Sequence, residues 1–324
     1  MFSRRDLGKV ALAALPVAAT AKGKIDSVVH GIQFGLQSYI FSGIGLAQEG
    51  ILDVVVKSMV ESGLGECDLY APLVEPAELW DKIRAGGAGR SGATVSPEIA
   101  AAAVRAREDL AKWRTSVSLD YFRAIRKKFD DAGIEIYGLS GFPGSTEAEL
   151  SRSCEIAQAC GARLITLGVT LSAAKRIVPF AEKSNFIIGI QGRPDMTVTN
   201  PDVIAKPENY EEALAFSKTY AMSFDIGDAV GGGYDALKFV EAHHDRIALI
   251  YLKDRKKDRL SVPWGEGDTP VREILRLIRD RKYPIRCYLD CDYKTADRPA
   301  DVKASFAYAK AALAPSGGFL RVVR

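Results

Sequence analysis

The chain has 324 residues, 44 Lys and Arg against 41 Asp and Glu, a formal net charge of +3, and a hydrophobic content of 47%. Acids and bases are interspersed and no long basic block occurs, which argues against nucleic acid as a partner, while the apolar share suits a globular protein with a large core. No run reaches the roughly 18 unbroken apolar residues of a membrane span.

The first segment, "SRRDLGK" (3–9) followed by "VALAALPVAATA" (10–21), carries a twin arginine, a short apolar run and a small-residue site ending at Ala21. It resembles a bacterial twin-arginine export signal over residues 1–21, which implies a periplasmic or otherwise exported protein that crosses already folded. From residue 32 a short apolar run, a polar or Gly-rich turn and a longer segment of helical period alternate. The runs lie at 33–39, 66–71, 134–140, 162–169, 186–192, 221–227, 247–253 and 285–291. Eight such units over residues 32–314 predict one (β/α)8 TIM barrel, an α/β fold, with 315–324 as a C-terminal tail. A doubly wound open sheet would place a Gly-rich phosphate turn after its first strand, and "GIQFGLQSYIFSG" is no such turn.

Between the second and third runs the rhythm breaks. Residues 82–117 hold a Gly-rich loop and an Ala-rich helix that Pro97 can start, an insertion read either as a lid or as a spacer. Five cysteines (67, 154, 160, 287, 291) show no zinc spacing and read as small core residues, with an oxidised pair left open.

In a barrel of this kind chemistry sits at the carboxyl ends of the strands, and alternate residues point inward. Polar residues there are Gln37 and Tyr39, Asp68, Gln191 and Arg193, Asp225 and Asp228, Tyr251 and Lys253, and Tyr288, Asp290 and Asp292. Carboxylates from four strands therefore converge, with Lys253 and Arg193 as balancing charge. Such a cluster binds a cation or carries shifted pKa values, unless its members only cap helices and pair with bases.

The motifs "FDIGD", "YLKDRKK", "VPWGEGDTPVREIL" and "YLDCDY", in this order, resemble the sugar phosphate isomerase/epimerase superfamily with a xylose isomerase-like barrel. "GECDLYAPLVEP" and "KWR" are similar to a subset of it. The resemblance implies a divalent metal held by carboxylates and histidines, and isomerisation, epimerisation, dehydration or elimination on sugars and keto-sugars. Asp225 falls at a metal-binding aspartate, Asp290 and Asp68 at positions where glutamate is usual, and Gln191 where glutamate or histidine stands. Tyr251 occupies the histidine position before "LKD", and Asp228 another frequent histidine. The only histidines, 30, 243 and 244, lie outside the inward-facing strand ends.

With the imidazoles gone, the implied ligand set is Gln191, Asp225, Asp228 and Asp290, all oxygen, which suits Mn, Mg or Ca if an ion is held at all. Two functions follow. One is an exported isomerase- or epimerase-like enzyme, or a keto-glycoside lyase or hydratase, with Asp68 or Asp290 as base and Lys253 stabilising the oxyanion. The other is a non-catalytic carbohydrate-binding barrel using Trp264, Tyr39 and Tyr251 as platforms, with Gln37, Arg193 and Asp292 completing the cleft. The partner is a small carbohydrate in either case, and homo-oligomerisation is left open.

Overall fold

The structure is a computed structural model that describes residues 23–44, 50–87, 95–142 and 147–315. The export-signal reading of residues 1–21, residues 88–94 of the insertion and residues 316–324 of the tail lie outside the described residues.

Nine strands occur in chain order: β1 (Val28–Val29), β2 (Ile32–Gln37), β3 (Glu66–Tyr70), β4 (Glu135–Ser140), β5 (Leu164–Leu167), β6 (Ile187–Ile190), β7 (Tyr220–Asp225), β8 (Ile247–Leu252) and β9 (Arg286–Leu289). Each of β2 to β9 pairs in parallel with the next, and β9 pairs back onto β2 through Phe34–Cys287, Gly35–Tyr288 and Leu36–Leu289, so the sheet closes into an eight-stranded barrel. The eight apolar runs are these eight strands. They read as apolar runs because a parallel strand is covered on both faces, by helices outside and by its fellows inside. The two-residue β1 folds back antiparallel onto the start of β2 and has no run of its own. Residues 38 and 39, expected as the end of the first strand, instead begin a 3-10 helix over Ser38–Ile44.

Inside the barrel, Tyr137, Leu164, Leu249, Tyr251 and Tyr288 form a small cluster separate from the main core between sheet and helices. Glu66 accepts from Tyr288 at 2.8 Å and from Arg286 at 3.1 Å, so the charge buried low in the barrel is paired. All five cysteines are free thiols, four of them buried, as small core residues should be.

The helix Ala77–Ala85 runs into the insertion and the helix Pro97–Ser116 lies within it, capped by Ser96 with Pro97 in its first turn. Arg114 clamps Glu75 with two hydrogen bonds of 2.6 and 2.7 Å, Trp80 donates to the same carboxylate at 2.9 Å, and Arg152 donates to Arg114 O at 2.9 Å. Helix Pro97–Ser116 is thus stapled to the segment leaving β3. Among the described residues no helix is long and apolar enough to cross a membrane.

Candidate active site

The ends of β7, β8 and β9 deliver their polar residues to one point. Asp225 is the last residue of β7, Lys253 follows β8, and Asp290 and Asp292 follow β9. Lys253 Nζ lies 2.9 Å from Asp225 Oδ2, 2.9 Å from Asp290 Oδ2, 3.2 Å from Asp292 Oδ2 and 3.9 Å from Asp228 Oδ1. Arg255 closes the ring, 2.8 Å from Asp228 and 3.4 Å from Asp292, with its Nε on Ser261 at 3.0 Å. Arg255 was not singled out from the sequence. Its signal was its spacing, two residues after Lys253 on the same phase.

A layer deeper, Tyr251 donates to Asp68 Oδ2, with Thr166 Oγ1 3.2 Å from the same hydroxyl. Gln37 Nε2 reaches Asp68 Oδ2 at 3.4 Å and Ser140 Oγ at 3.2 Å, while its carbonyl oxygen accepts from the Tyr39 N–H at 3.0 Å. Gln37 and Asp68 are register partners, so two neighbouring strands hold this pair at one height.

Local backbone chemistry explains the motifs. Asp225 caps the short helix Ile226–Gly231 by accepting from Asp228 N at 2.8 Å. Gly227 stands where a Cβ would come within 2.8 Å of Lys253 Cγ, so glycine leaves room for the lysine stem. Asp254, on the opposite phase, is 2% exposed and accepts backbone N–H bonds from Gly265 (2.7 Å), Gly267 (3.1 Å) and Thr269 (3.2 Å). It pins the "VPWGEGD" loop, and a side chain at position 267 would collide with its carboxylate.

Burial raises the carboxyl of Asp68 to about 6, although Tyr251 pulls it down. Burial and then the charge of Asp228 raise Asp225 to about 6 against the pull of Lys253. Asp290 reaches about 8, again from burial, which outweighs the pull of Lys253, while Asp292 and Asp225 add to the rise. Burial works against the Lys253 ammonium, but the four carboxylates override it and hold its pKa well above 10.5. Asp68 Oδ1, Asp290 Oδ1 and Asp292 Oδ1 are buried with no hydrogen-bond partner among the described residues. Asp68 and Asp290 are thus two carboxyls that their surroundings raise to different extents, Asp290 the further.

Several expected site residues stand elsewhere. Tyr251 is fully buried with its hydroxyl on Asp68, so it offers no ring face to a ligand. Trp264 is 8% exposed and packs edge-on against Tyr308 of helix Arg298–Leu313, which makes it a packing residue rather than a platform. Tyr39 is half-buried and pairs edge-on with Tyr70 at 5.1 Å; Tyr70 had not been picked out. Gln191 and Arg193, after β6, make no side-chain hydrogen bond or ion pair with the Lys253 cluster. The two helix-end histidines stack on Phe239 and Tyr283, away from the strand ends.

The implied divalent ion does not fit this arrangement. Among the described residues no group of three His, Cys, Asp or Glu side chains is arranged to hold a metal ion. The carboxylate oxygens that do converge are taken up by the ammonium of Lys253. Lys253 Nζ occupies the point where those oxygens meet, so a divalent ion could take that place only if the ammonium left it.

No family model and no curated protein matches the sequence. Solved structures do. A sugar phosphate isomerase/epimerase from Parabacteroides distasonis aligns with 90% of this chain and 98% of its own at 16% identity and a TM-score of 0.54. The fold is a xylose isomerase-like TIM barrel. A xylose isomerase domain protein from Alicyclobacillus acidocaldarius gives a TM-score of 0.58 at 13% identity, over 87% of this chain and 98% of that one. A protein described as the "probable 3-DHS dehydratase" of petrobactin synthesis in Bacillus anthracis gives 0.58 and 13% over 85% and 98%. At such identities the likeness is one of fold, and function belongs to the site.

Proposed function

We propose that the chain is a sugar-modifying enzyme that moves a proton on the carbon beside a carbonyl, as in isomerisation or epimerisation, with elimination as the lyase variant. The observation that carries this reading is the buried pair Asp68, on β3, and Asp290, just past the end of β9, the two strands that flank β2, with pKa values near 6 and near 8. Asp68 Oδ1 takes the proton as the C–H bond breaks. The electron pair moves to the carbonyl oxygen, which takes the proton of Asp290 and faces the positive charge of Lys253 and Arg255. Reprotonation of the enediol at the neighbouring carbon yields an isomer, at the opposite face an epimer, and loss of a β-hydroxyl yields the elimination product. The catalytic oxygens are sealed from solvent, so this reaction requires the mouth to open for substrate.

Support from the comparisons is that an isomerase/epimerase and a dehydratase are built on the same scaffold. The binding-module alternative relied on three aromatic platforms and retains only Tyr39. The twin arginine, Arg4 and Arg5, supports an exported location and hence unphosphorylated sugars as substrates. The test is proton NMR of aldoses, ketoses and keto-glycosides in D2O with the mature chain. Loss of the signal beside a carbonyl, abolished in Asp68→Asn, is the expected result. Tight sugar binding without exchange in any substrate would return the protein to a binding role.

A further inference from the structure

Four aspartates gathered at the mouth of a barrel call for positive charge, and the sequence patterning together with the resemblance suggested a metal ion. The side chains supply it differently. We propose that the ammonium of Lys253 stands in the place a divalent ion would take, as the permanent counter-cation of the carboxylate ring, so that the chain neither binds nor needs a divalent metal.

Three features carry this. The first is position: Nζ touches carboxylates arriving from β7 and β9 at 2.9, 2.9 and 3.2 Å, which places it at the meeting point of the oxygens any bridging ion would need. The second is confinement. Lys253 is 5% exposed, its stem runs against Gly227, and the adjacent Asp254 is tied to three backbone N–H groups of the following loop. The stem is therefore packed on the Gly227 side and next to a fixed loop, which holds the ammonium in the ring. The third is completeness. Arg255 meets Asp228 and Asp292, the two acids that Lys253 holds least closely, so each of the four carboxyl groups already faces a cation. The position where the resemblance implies an imidazole ligand is Tyr251, whose hydroxyl is committed to Asp68.

An ammonium and a metal ion differ in what they do for a substrate. A divalent ion binds oxygen pairs at fixed geometry and acts as a Lewis acid, whereas an ammonium offers rotatable N–H donors and a single charge. The proposal concerns the charge chemistry of the folded chain and holds for a catalytic or a purely binding barrel.

Manganese binding is the direct test, followed by the electron paramagnetic resonance signal of free Mn2+ and by calorimetry on wild type and on Lys253→Ala, each checked for folding by circular dichroism. Wild type is expected to leave the Mn2+ signal unchanged and to show no Mn2+-dependent rise in melting temperature. Lys253→Ala, with its carboxylates released, is expected to bind one Mn2+ at least about 100-fold more tightly than wild type. Should Lys253→Ala not fold, Lys253→Gln, which keeps the stem and removes the charge, takes its place. Stoichiometric Mn2+ binding by wild type that disappears in Asp225→Asn would overturn the proposal. So would a folded, charge-free variant that gains no affinity, because the ammonium would then not be standing on the ion's position.

Discussion

Asp68 and Asp290 are the same side chain in two settings, and the setting decides which proton each handles. Asp68 keeps a hydroxyl donor, which moderates the effect of burial; Asp290 is raised by burial more than Lys253 lowers it, and Asp292 and Asp225 push it further up. The pH profile of kcat/KM should therefore be bell-shaped, with apparent limbs near 6 and near 8 that belong to the coupled set rather than to single residues. Asp68→Asn should lower kcat by about 100- to 10,000-fold, the scale of a lost general base. Tyr251→Phe is the finer probe. The tyrosine hydroxyl lowers the Asp68 pKa, so its removal should move the acidic limb upward, and it should cost about 1–3 kcal/mol through the acceptor left unpaired. An unchanged limb in a folded Tyr251→Phe protein would show that Asp68 is not the titrating base.

Among the elements, the loop after β8 and the helix Pro97–Ser116 are each held by one buried charge. Asp254→Ala strips the acceptor from three backbone N–H groups, and a loss of about 3 kcal/mol in chemical denaturation is expected, with Lys253 displaced as well. Arg114→Ala leaves Glu75 buried without its partner; about 3–5 kcal/mol is the expected cost, with early proteolysis of the Pro97–Ser116 region. The barrel strands were legible because buried parallel strands are apolar runs, and the inward phase picked out Asp68, Asp225, Lys253 and Asp290. What the sequence could not show was depth and cross-strand pairing. Tyr251 looked like a replaced ligand at the mouth, but it lies one layer below Lys253 and is spent on Asp68. Trp264 sits in a loop over the site, yet its ring faces Tyr308 of the last helix. The four carboxylates suggested a metal because nothing in a linear reading says that a lysine two residues beyond a tyrosine reaches Asp225 and Asp290 at equal distance.

For the whole molecule, the raised carboxyls of the site contribute to the pH dependence of folding, Asp290 over the widest window. Asp290 has an ordinary value of 3.8 and about 8 in the fold, so the folded state binds the proton more tightly than the unfolded chain. Its contribution is fully present below about 4 and is lost as pH rises through about 8. Melting temperatures taken across that window should fall less steeply with pH in Asp290→Asn than in wild type, and equal slopes would place the titration elsewhere. At the same scale, the proposed export predicts that replacing Arg4 and Arg5 by Lys leaves the chain in the cytoplasm, read by cell fractionation, and an unchanged distribution would contradict it. The measurement that tests the account most directly is deuterium wash-in beside the substrate carbonyl after exhaustive treatment with a chelator. Exchange that continues undiminished without metal, gains nothing from added Mn2+ and collapses in Lys253→Ala is the expected result. Exchange that stops on chelation and returns with Mn2+ would contradict it, because the positive charge at the reacting oxygen would then be a metal ion and not Lys253.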